Sequence, residues 1–176
     1  AVFAAVSTDG GDSWSDHFVA SQISAGDQGM RDPPMPTAEV DSSGRVYVAW
    51  SDCVFETGCN ANDIVMSSST DGVSWTSVVR IPADPLNSGV DHFIPGIGID
   101  RSTSGSGARV GLAYYSYPTA ACTSTSCRLN VGFISSTNGG TSWSAATNVA
   151  GPMQLSWLAN TSQGRMVGDY ISTSVP

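Results

Sequence analysis

Three short stretches of the sequence combine residue types that proteins use for proton transfer, nucleophilic attack or anion binding. They are Arg31-Asp32, Asp91-His92, and Arg165 with Asp169-Tyr170. Each stretch precedes or opens a segment with the alternating pattern of a β-strand. Such residues form one site only if the fold brings the starts of these strands together. Whether these residues can act together in one site therefore depends on how the predicted strands are arranged.

The charged residues narrow the classes of partner. The chain has 176 residues and a formal net charge of −8, and all seven of its basic residues are arginine. Nucleic acid is not an expected partner, because no basic patch is formed. The arginine fork matches carboxylate groups, which is consistent with an anionic ligand. The alternative is an acidic secreted protein whose few basic residues happen to be arginine.

Four cysteines occur as two close pairs, Cys53 with Cys59 and Cys122 with Cys127. Four cysteines allow three pairings, and we expect the local one, which closes two short loops. A zinc site is the alternative, but the spacings are not Cys-x-x-Cys and neither histidine lies near a pair. Two disulfides predict an oxidising, extracellular compartment. No signal peptide or apolar run of membrane-spanning length occurs, so we expect any leader upstream of Ala1.

An internal repeat organises the chain. A motif of the form Ser-x-Asp-x-Gly-x-x-Trp begins at Ser7, Ser69 and Ser136; the second copy is one residue shorter, and the third has Asn for Asp. Asp or Asn is expected to accept backbone N–H bonds within a turn, Gly to take positive φ, and Trp to begin the next strand and pack between sheets. These structural positions are Asp9, Gly11, Trp14, Asp71, Gly72, Trp75, Asn138, Gly140 and Trp143.

The motif returns every 60 to 70 residues or so, about the length of a four-stranded propeller blade with long loops. We therefore predict an all-β fold, an incomplete β-propeller of four-stranded antiparallel blades. Its units are an outer half-blade over 1–20, blades over 21–81 and 82–149, and the first strand of a next blade over 150–176. The expected inner strands are Thr37–Asp41, Ile94–Asp100 and Met166–Thr173. About two blades cannot close a ring, so either the chain is a fragment or copies associate through open sheet edges.

The repeated motif resembles the Asp-box, or BNR, repeat of sialidases. Arg31-Asp-Pro-Pro34 with Ala38–Trp50, and Gly164–Ser172, resemble secreted bacterial sialidase-like proteins. In that family the boxes join the third and fourth strands of a blade on the face away from the active site. The resemblance implies that the opposite face receives the loops 21–36, 82–93, 150–163, 52–63 and 118–127, of which the last two carry the cysteine pairs.

The resemblance also implies roles for the three polar stretches. Sialidases hold the sialic acid carboxylate with arginines and use a tyrosine nucleophile with a glutamate partner and an aspartate acid/base. The implied catalytic residues are Asp32, Asp91, Asp169 and Tyr170, and the implied substrate-binding residues are Arg31, Arg165 and His92. The chain has only two glutamates, Glu39 and Glu56, and neither forms an evident pair with a tyrosine.

No cofactor is required by this interpretation, and no metal site is predicted from ligand spacing. A structural calcium ion is a candidate for the loop 52–63, whose oxygen-bearing side chains are Asp52, Glu56, Asn60, Asn62 and Asp63. Three functions follow: a glycoside hydrolase acting on sialic acid or a related anionic glycan, a non-catalytic propeller that binds glycan or protein, and a purely structural repeat domain. We expect the isolated fragment to be inactive, because an open ring cannot assemble a complete site.

Overall fold

The computed structural model describes residues 1–26, 29–32 and 34–175. Four residues lie outside this description: residues 27 and 28 of the predicted loop 21–36, Pro33 of the Arg31–Pro34 motif, and Pro176. The described chain forms strands β1 Val2–Val6, β2 Ser15–Ala20, β3 Thr37–Val40, β4 Val46–Asp52, β5 Asp63–Ser69, β6 Val79–Arg80, β7 Asp91–Ile99, β8 Val110–Tyr117, β9 Arg128–Ser136, β10 Thr147–Gln154, β11 Ala159–Thr161 and β12 Gly164–Met166. Short 3-10 turns occupy Thr57–Cys59, Gly105–Gly107 and Leu155–Trp157.

The strands form two complete four-stranded antiparallel sheets. One has the order β3-β4-β5-β6 and the other the order β7-β8-β9-β10, so each sheet follows the chain without crossovers. Strands β1 and β2 form a two-stranded sheet, and β11 and β12 form a hairpin. The predicted all-β fold of four-stranded antiparallel sheets is confirmed, and the sheets do not close into a ring.

The three repeated turns connect β1 to β2, β5 to β6, and β9 to β10. In the first turn Asp9 Oδ1 accepts a bond from the Ser13 N–H at 3.0 Å, and in the third Asn138 Oδ1 accepts one from Ser142 at 2.8 Å. Asp71 Oδ1 accepts two backbone bonds in the second turn, at 2.8 and 2.7 Å. The turn chemistry is therefore that expected from the motif.

The tryptophans of the three turns differ in burial and in the strands that follow them. Each indole N–H donates to the carbonyl of the turn glycine at 3.1 Å. Trp75 and Trp143 pack against core clusters, as predicted, whereas Trp14 is 64% exposed and the expected packing is wrong there. Only after Trp14 does a strand begin at once.

The outer strands of the complete sheets begin later than predicted. We expected strands from Thr76 and Ser144, but β6 begins at Val79 and β10 at Thr147. The Thr76 N–H donates to Ser68 O, while the Thr76 hydroxyl accepts from the Ser68 N–H at 3.0 Å. Ser144 bonds Ser135 in the same way. A side-chain hydroxyl thus replaces a backbone carbonyl, and regular pairing resumes only further along.

The expected inner strand Met166–Thr173 is wrong, because β12 ends at Met166 and the described residues 167–175 form no strand. This segment instead crosses the face of the second complete sheet. The Thr173 hydroxyl donates to Gly96 O at 2.7 Å and accepts from the Ala113 N–H at 3.1 Å. A Cβ on Gly98 would lie only 2.4 Å from Thr173 O. Because the glycines of β7 have no side chain, residues 167–175 can pack directly on the backbone of this strand.

Strand β7 begins three residues earlier than predicted, at Asp91, and thereby includes the end of the expected loop 82–93. Residues 91–93 pair with Tyr115–Tyr117, after which the register shifts between Phe93 and Gly96. Ile94 at this irregularity has φ 45°. The bulge separates the first residues of β7 from its regular part, and this arrangement decides which side chains reach which face of the sheet.

The main hydrophobic core lies between the two complete sheets. Its buried residues include Tyr47 and Ile64 from the first sheet, and Ile97, Leu112 and Ile134 from the second. A second cluster, around Phe93, Tyr117 and Leu155, covers the other face of the second sheet. Because both faces of this sheet are buried, polar residues at the start of β7 face two different environments.

Candidate functional site

Asp32, Asp91 and Tyr117 form one electrostatic cluster. Asp91 at the start of β7 pairs with Tyr117 at the end of β8, and both are buried, whereas Asp32 is half-buried in the segment before β3. Burial, with the charge of Asp91, raises the pKa of Asp32 to about 7. Burial, with the charges of Asp32 and Asp91, also raises the pKa of Tyr117. The cluster thus contains a carboxylic acid that holds its proton near neutral pH.

Asn62 holds Asp91 in place. Its backbone N–H donates to Asp91 Oδ1 at 2.7 Å, and its side-chain amide donates to the same oxygen at 3.0 Å. The Asn62 side chain also accepts from the Ala25 N–H at 2.8 Å and donates to Ala25 O at 3.1 Å. Burial raises the pKa of Asp91, and the two bonds from Asn62 act in the opposite direction. One fully buried amide thus connects β7 with two loops.

The other predicted residues form a second group beside this cluster. Arg31 Nη1 lies 2.5 Å from Asp169 Oδ1, and Arg31 Nε donates to Gln163 at 2.9 Å. The Arg31 N–H donates to Arg165 O, and the Arg165 N–H donates to Gly29 O, both at 2.8 Å. The structure therefore brings Arg31, Arg165 and Asp169 together, with the Arg31 guanidinium already facing a carboxylate.

Tyr170 does not have the partners of an activated nucleophile among the described residues. Its side chain is 67% exposed, and its hydroxyl lies 3.3 Å from the sulfur of Met35. Both glutamates are engaged elsewhere: Glu39 contacts Arg101 at 3.1 Å, and Glu56 accepts from the Asn87 N–H at 2.9 Å. The tyrosine–glutamate pair implied by the family resemblance is not formed here.

His92 lies on the opposite face of β7 from Asp91. Its ring contacts Tyr114 edge-on, with centroids 5.3 Å apart, whereas Phe93 on the Asp91 side contacts Tyr115 and Tyr117. The ring Nε2 of His92 is 3.9 Å from Asp84 Oδ1. The His92 ring thus points away from the cluster of Asp32, Asp91 and Tyr117, although it follows Asp91 in sequence and its charge still acts to lower the pKa of Asp91.

Arg80 contacts two carboxylates near His92, those of Asp63 and Asp84. Its Nε lies 2.7 Å from Asp63 Oδ1, and its Nη2 lies 2.5 Å from Asp84 Oδ1. The Ser88 hydroxyl donates to Asp84 Oδ2. Arg80 belongs to the outer strand β6, and two aspartates engage its guanidinium.

Both cysteine pairs form the predicted disulfides, Cys53–Cys59 and Cys122–Cys127. The oxygen atoms suggested for calcium in the loop 52–63 mostly serve protein donors instead. Asp52 accepts bonds from the Trp50 indole and the Val54 N–H, Glu56 accepts from Asn87, and Asn62 is committed to Ala25 and Asp91. The loop is therefore organised by hydrogen bonds rather than around one cation position.

Sequence reasoning missed Tyr117, Asn62 and Asp84 as members of these clusters. Tyr117 alternates with Tyr115 along β8, and this pattern favours a packing role. Asn62 was considered only as a calcium ligand, although its place just before β5 and beside a cysteine loop is a signal for a loop-fixing amide. Asp84 lies in a Pro-rich connection; its partners Arg80 and Ser88 are each four residues away and could have drawn attention to it, whereas its approach to His92 depends on the fold.

Comparison with known proteins supports the fold. No protein-family model and no curated protein sequence matches the chain. A Penicillium chrysogenum α-L-arabinanase, solved at high resolution with arabinobiose, matches 92% of this chain and 41% of its own length with a TM-score of 0.55 at 15% identity. The Hadza microbial sialidase Hz136 matches 68% of this chain and 27% of its own length with a TM-score of 0.50 at 15% identity. The chain thus spans less than half of either protein, and the likeness confirms the predicted β-propeller fold.

Proposed function

We propose that the chain is part of a glycoside hydrolase whose acid/base chemistry uses Asp32 and Asp91. The observation that carries this proposal is one electrostatic cluster that joins two carboxyl groups, Asp91 at the start of β7 and Asp32 in the segment before β3, with Tyr117. Most glycoside hydrolases use a pair of carboxyl groups on either side of the scissile bond. Two glycosidases with the same fold add support at the level of architecture.

Asp32 takes the role of general acid in this proposal. With the pKa raised to about 7, a large fraction of this carboxyl group is protonated at neutral pH, so it can donate a proton to the glycosidic oxygen as the bond between the sugar carbon and that oxygen breaks. Asp91 is the second carboxylate, and Asn62 fixes its orientation through Oδ1. Water supplies the oxygen that completes hydrolysis. Asp169 and Tyr170 are then assigned to substrate contacts beside this pair.

The substrate is either an anionic sugar, with sialic acid as the first candidate, or a neutral one. Arg31 and Arg165 favour sialic acid, since arginine forks bind carboxylates. Against this, Arg31 already faces Asp169, and an incoming carboxylate has to compete with that ion pair. A neutral pentose such as arabinose, present as arabinobiose in the similar arabinanase, needs no such exchange.

The test is hydrolysis by the longest polypeptide that contains these residues, with the 176-residue chain assayed beside it. A fluorogenic α-sialoside and an α-L-arabinofuranoside separate the two substrate classes. Asp32→Asn is expected to lower kcat by 10²- to 10⁴-fold, whereas Asp12→Asn in the exposed first turn should leave it unchanged. Full activity of the Asp32→Asn variant would contradict the assignment.

A non-catalytic glycan-binding propeller is the second candidate. The observation that favours it is the Arg31–Asp169 pair together with the exposed Tyr170, whose hydroxyl contacts the Met35 sulfur and no basic group among the described residues, so that this polar surface has no activated nucleophile. Saturable binding of an oligosaccharide without turnover, weakened by Arg31→Ala, would support this function over hydrolysis. The two disulfides accord with a secreted protein in either case. In the described chain, no helix has the length and apolar character needed to span a bilayer.

A further inference from the structure

A second group of chemically capable side chains lies between the two complete sheets, away from Asp32. It consists of Asp63 at the start of β5, Asp84 in the connection to β7, and His92 in β7. One ligand atom from each lies within 4.8 Å of the other two. Within residues 1–26, 29–32 and 34–175, no other group of three or more such side chains is this close.

The hydrogen bonding of His92 leaves one ring nitrogen available. Nδ1 lies 3.1 Å from the carbonyl oxygen of Asn62, which can only accept, so Nδ1 carries the hydrogen. In the neutral form of this ring Nε2 presents a lone pair toward Asp84, and Nε2 has no hydrogen bond to any described residue. Metal-binding histidines typically donate their other ring N–H to a carbonyl or carboxylate in this way.

Asp63 supplies an independent sign of a missing partner. The residue is 2% exposed, and its Oδ2 is buried without a hydrogen-bond partner among the described residues. A buried carboxylate oxygen without a donor or cation is costly, since it has lost its water. Arg80 Nε lies 2.7 Å from the other oxygen, Oδ1, but this Nε is likewise buried without a hydrogen bond of good geometry to any described residue.

The net charge of the group is negative, which favours the binding of a cation. Asp63 and Asp84 carry two negative charges, Arg80 supplies one positive charge, and His92 with Nδ1 protonated alone is neutral. Arg80 contacts both carboxylates from one side, as an outer partner that orients ligating carboxylates. A cavity of about 190 Å³, lined by Asp84, His92, Tyr114, Ser116 and Asn130 among others, gives access to two of the three side chains, Asp84 and His92.

We propose that Asp63, Asp84 and His92 bind a divalent first-row transition metal ion, with Zn²⁺ as the representative. One imidazole and two carboxylates suit zinc better than calcium, which takes six to eight oxygen ligands. In tetrahedral zinc sites, metal–ligand bonds of 2.0–2.2 Å place ligand atoms about 3.3–3.6 Å apart. His92 Nε2 and Asp84 Oδ1 lie 3.9 Å apart, and every pair in the group lies within 4.8 Å, so the three side chains have to move together by up to about 1.5 Å when the ion binds. The proposal is independent of the proposed hydrolase activity.

Calorimetric titration of the metal-stripped 176-residue chain with ZnCl₂ tests the proposal. The described cysteines are all in disulfides, so no thiol competes for zinc. We expect one zinc per chain and at least tenfold weaker binding in His92→Gln. The only other histidine, His17 in β2, provides the matched control, and His17→Gln should bind zinc as the parent does. Equal binding by His92→Gln, or loss of binding in His17→Gln, would overturn the assignment.

A measurement on the parent protein avoids the risk that His92→Gln fails to fold. In ¹⁵N spectra of the imidazoles, zinc should shift the Nε2 resonance of His92, while Nδ1 keeps its proton and its bond to Asn62. An unchanged His92 spectrum at saturating zinc would refute the site, whatever the variants do.

Discussion

Replacing Gly98 with alanine tests how residues 167–175 pack on the second complete sheet. Gly98 lies in β7 without positive φ, so alanine can adopt its backbone conformation. By itself the change should stabilise a strand by about 0.5–1 kcal/mol, because the unfolded chain loses freedom. The new Cβ, however, would stand 2.4 Å from Thr173 O, a backbone atom that can move only with its whole segment.

The magnitude follows from what the segment loses when it moves. Thr173 makes two hydrogen bonds, to Gly96 O and from the Ala113 N–H. Their loss, at about 1 kcal/mol each, and overpacking of 1–3 kcal/mol outweigh the gain in chain entropy. We expect the free energy of unfolding to fall by about 2 kcal/mol. With a urea slope of about 2 kcal/mol/M, the midpoint should drop by about 1 M.

Urea unfolding followed by tryptophan fluorescence measures this change. Gly107→Ala is the control, because a Cβ at Gly107 meets nothing within 4 Å and the residue has no positive φ; its midpoint should stay within about 0.3 M of the parent. In Gly98→Ala, the further substitution Thr173→Val should cost little, since the bonds it removes are already broken. A Gly98→Ala variant as stable as Gly107→Ala would show that the segment does not cross β7 as described.

Three further predictions concern other parts of the fold. Between about pH 4 and pH 7 the free energy of unfolding should fall as pH rises, because folded Asp32 retains a proton that the unfolded chain has released. Urea titrations across this range should show a weaker dependence in Asp32→Asn but not in Asp12→Asn; identical slopes would argue against the raised pKa. Asp71→Ala should lower the melting temperature, since two turn N–H groups lose their acceptor, and a melting temperature equal to that of Asp12→Ala would contradict this. Replacing Cys122 and Cys127 by serine should lower the free energy of unfolding by about 2 kcal/mol, measured against the oxidised parent; a reductant that further destabilises the variant would point to the other disulfide.

The repeated turns were predictable because their partners are local. Asp71 and the N–H groups it accepts lie within three residues of each other, so residue types and spacing define the structure. The close cysteine pairs are similar, since each disulfide closes a short loop. Once three such turns repeat, the order of strands in each sheet follows from chain connectivity.

The composition of the clusters was not predictable, because it depends on where β7 begins and on distant partners. Asp91 and His92 are neighbours in sequence, but pairing of Asp91 with Tyr117 sends them to opposite faces of one sheet. Arg80 meets Asp63 only because β5 and β6 belong to the same sheet. Likewise, the alternating pattern of residues 166–173 predicts a strand, yet backbone pairing needs a neighbouring strand, and these residues meet the bare glycines of β7 instead.

The late start of the outer strands affects how the molecule behaves at high concentration. Strand β6 is only two residues long, and β10 changes register twice along its length. The hydroxyl groups of Thr76 and Ser144 bond inward, to β5 and β9, and delay regular backbone pairing, so the outer strands present only short or irregular edges to a strand from another molecule. Short and irregular edges are poor templates for intermolecular β-sheet growth. The same substitution of side-chain for backbone pairing that shortens the outer strands therefore protects the outer rims of the two complete sheets against amyloid-type aggregation.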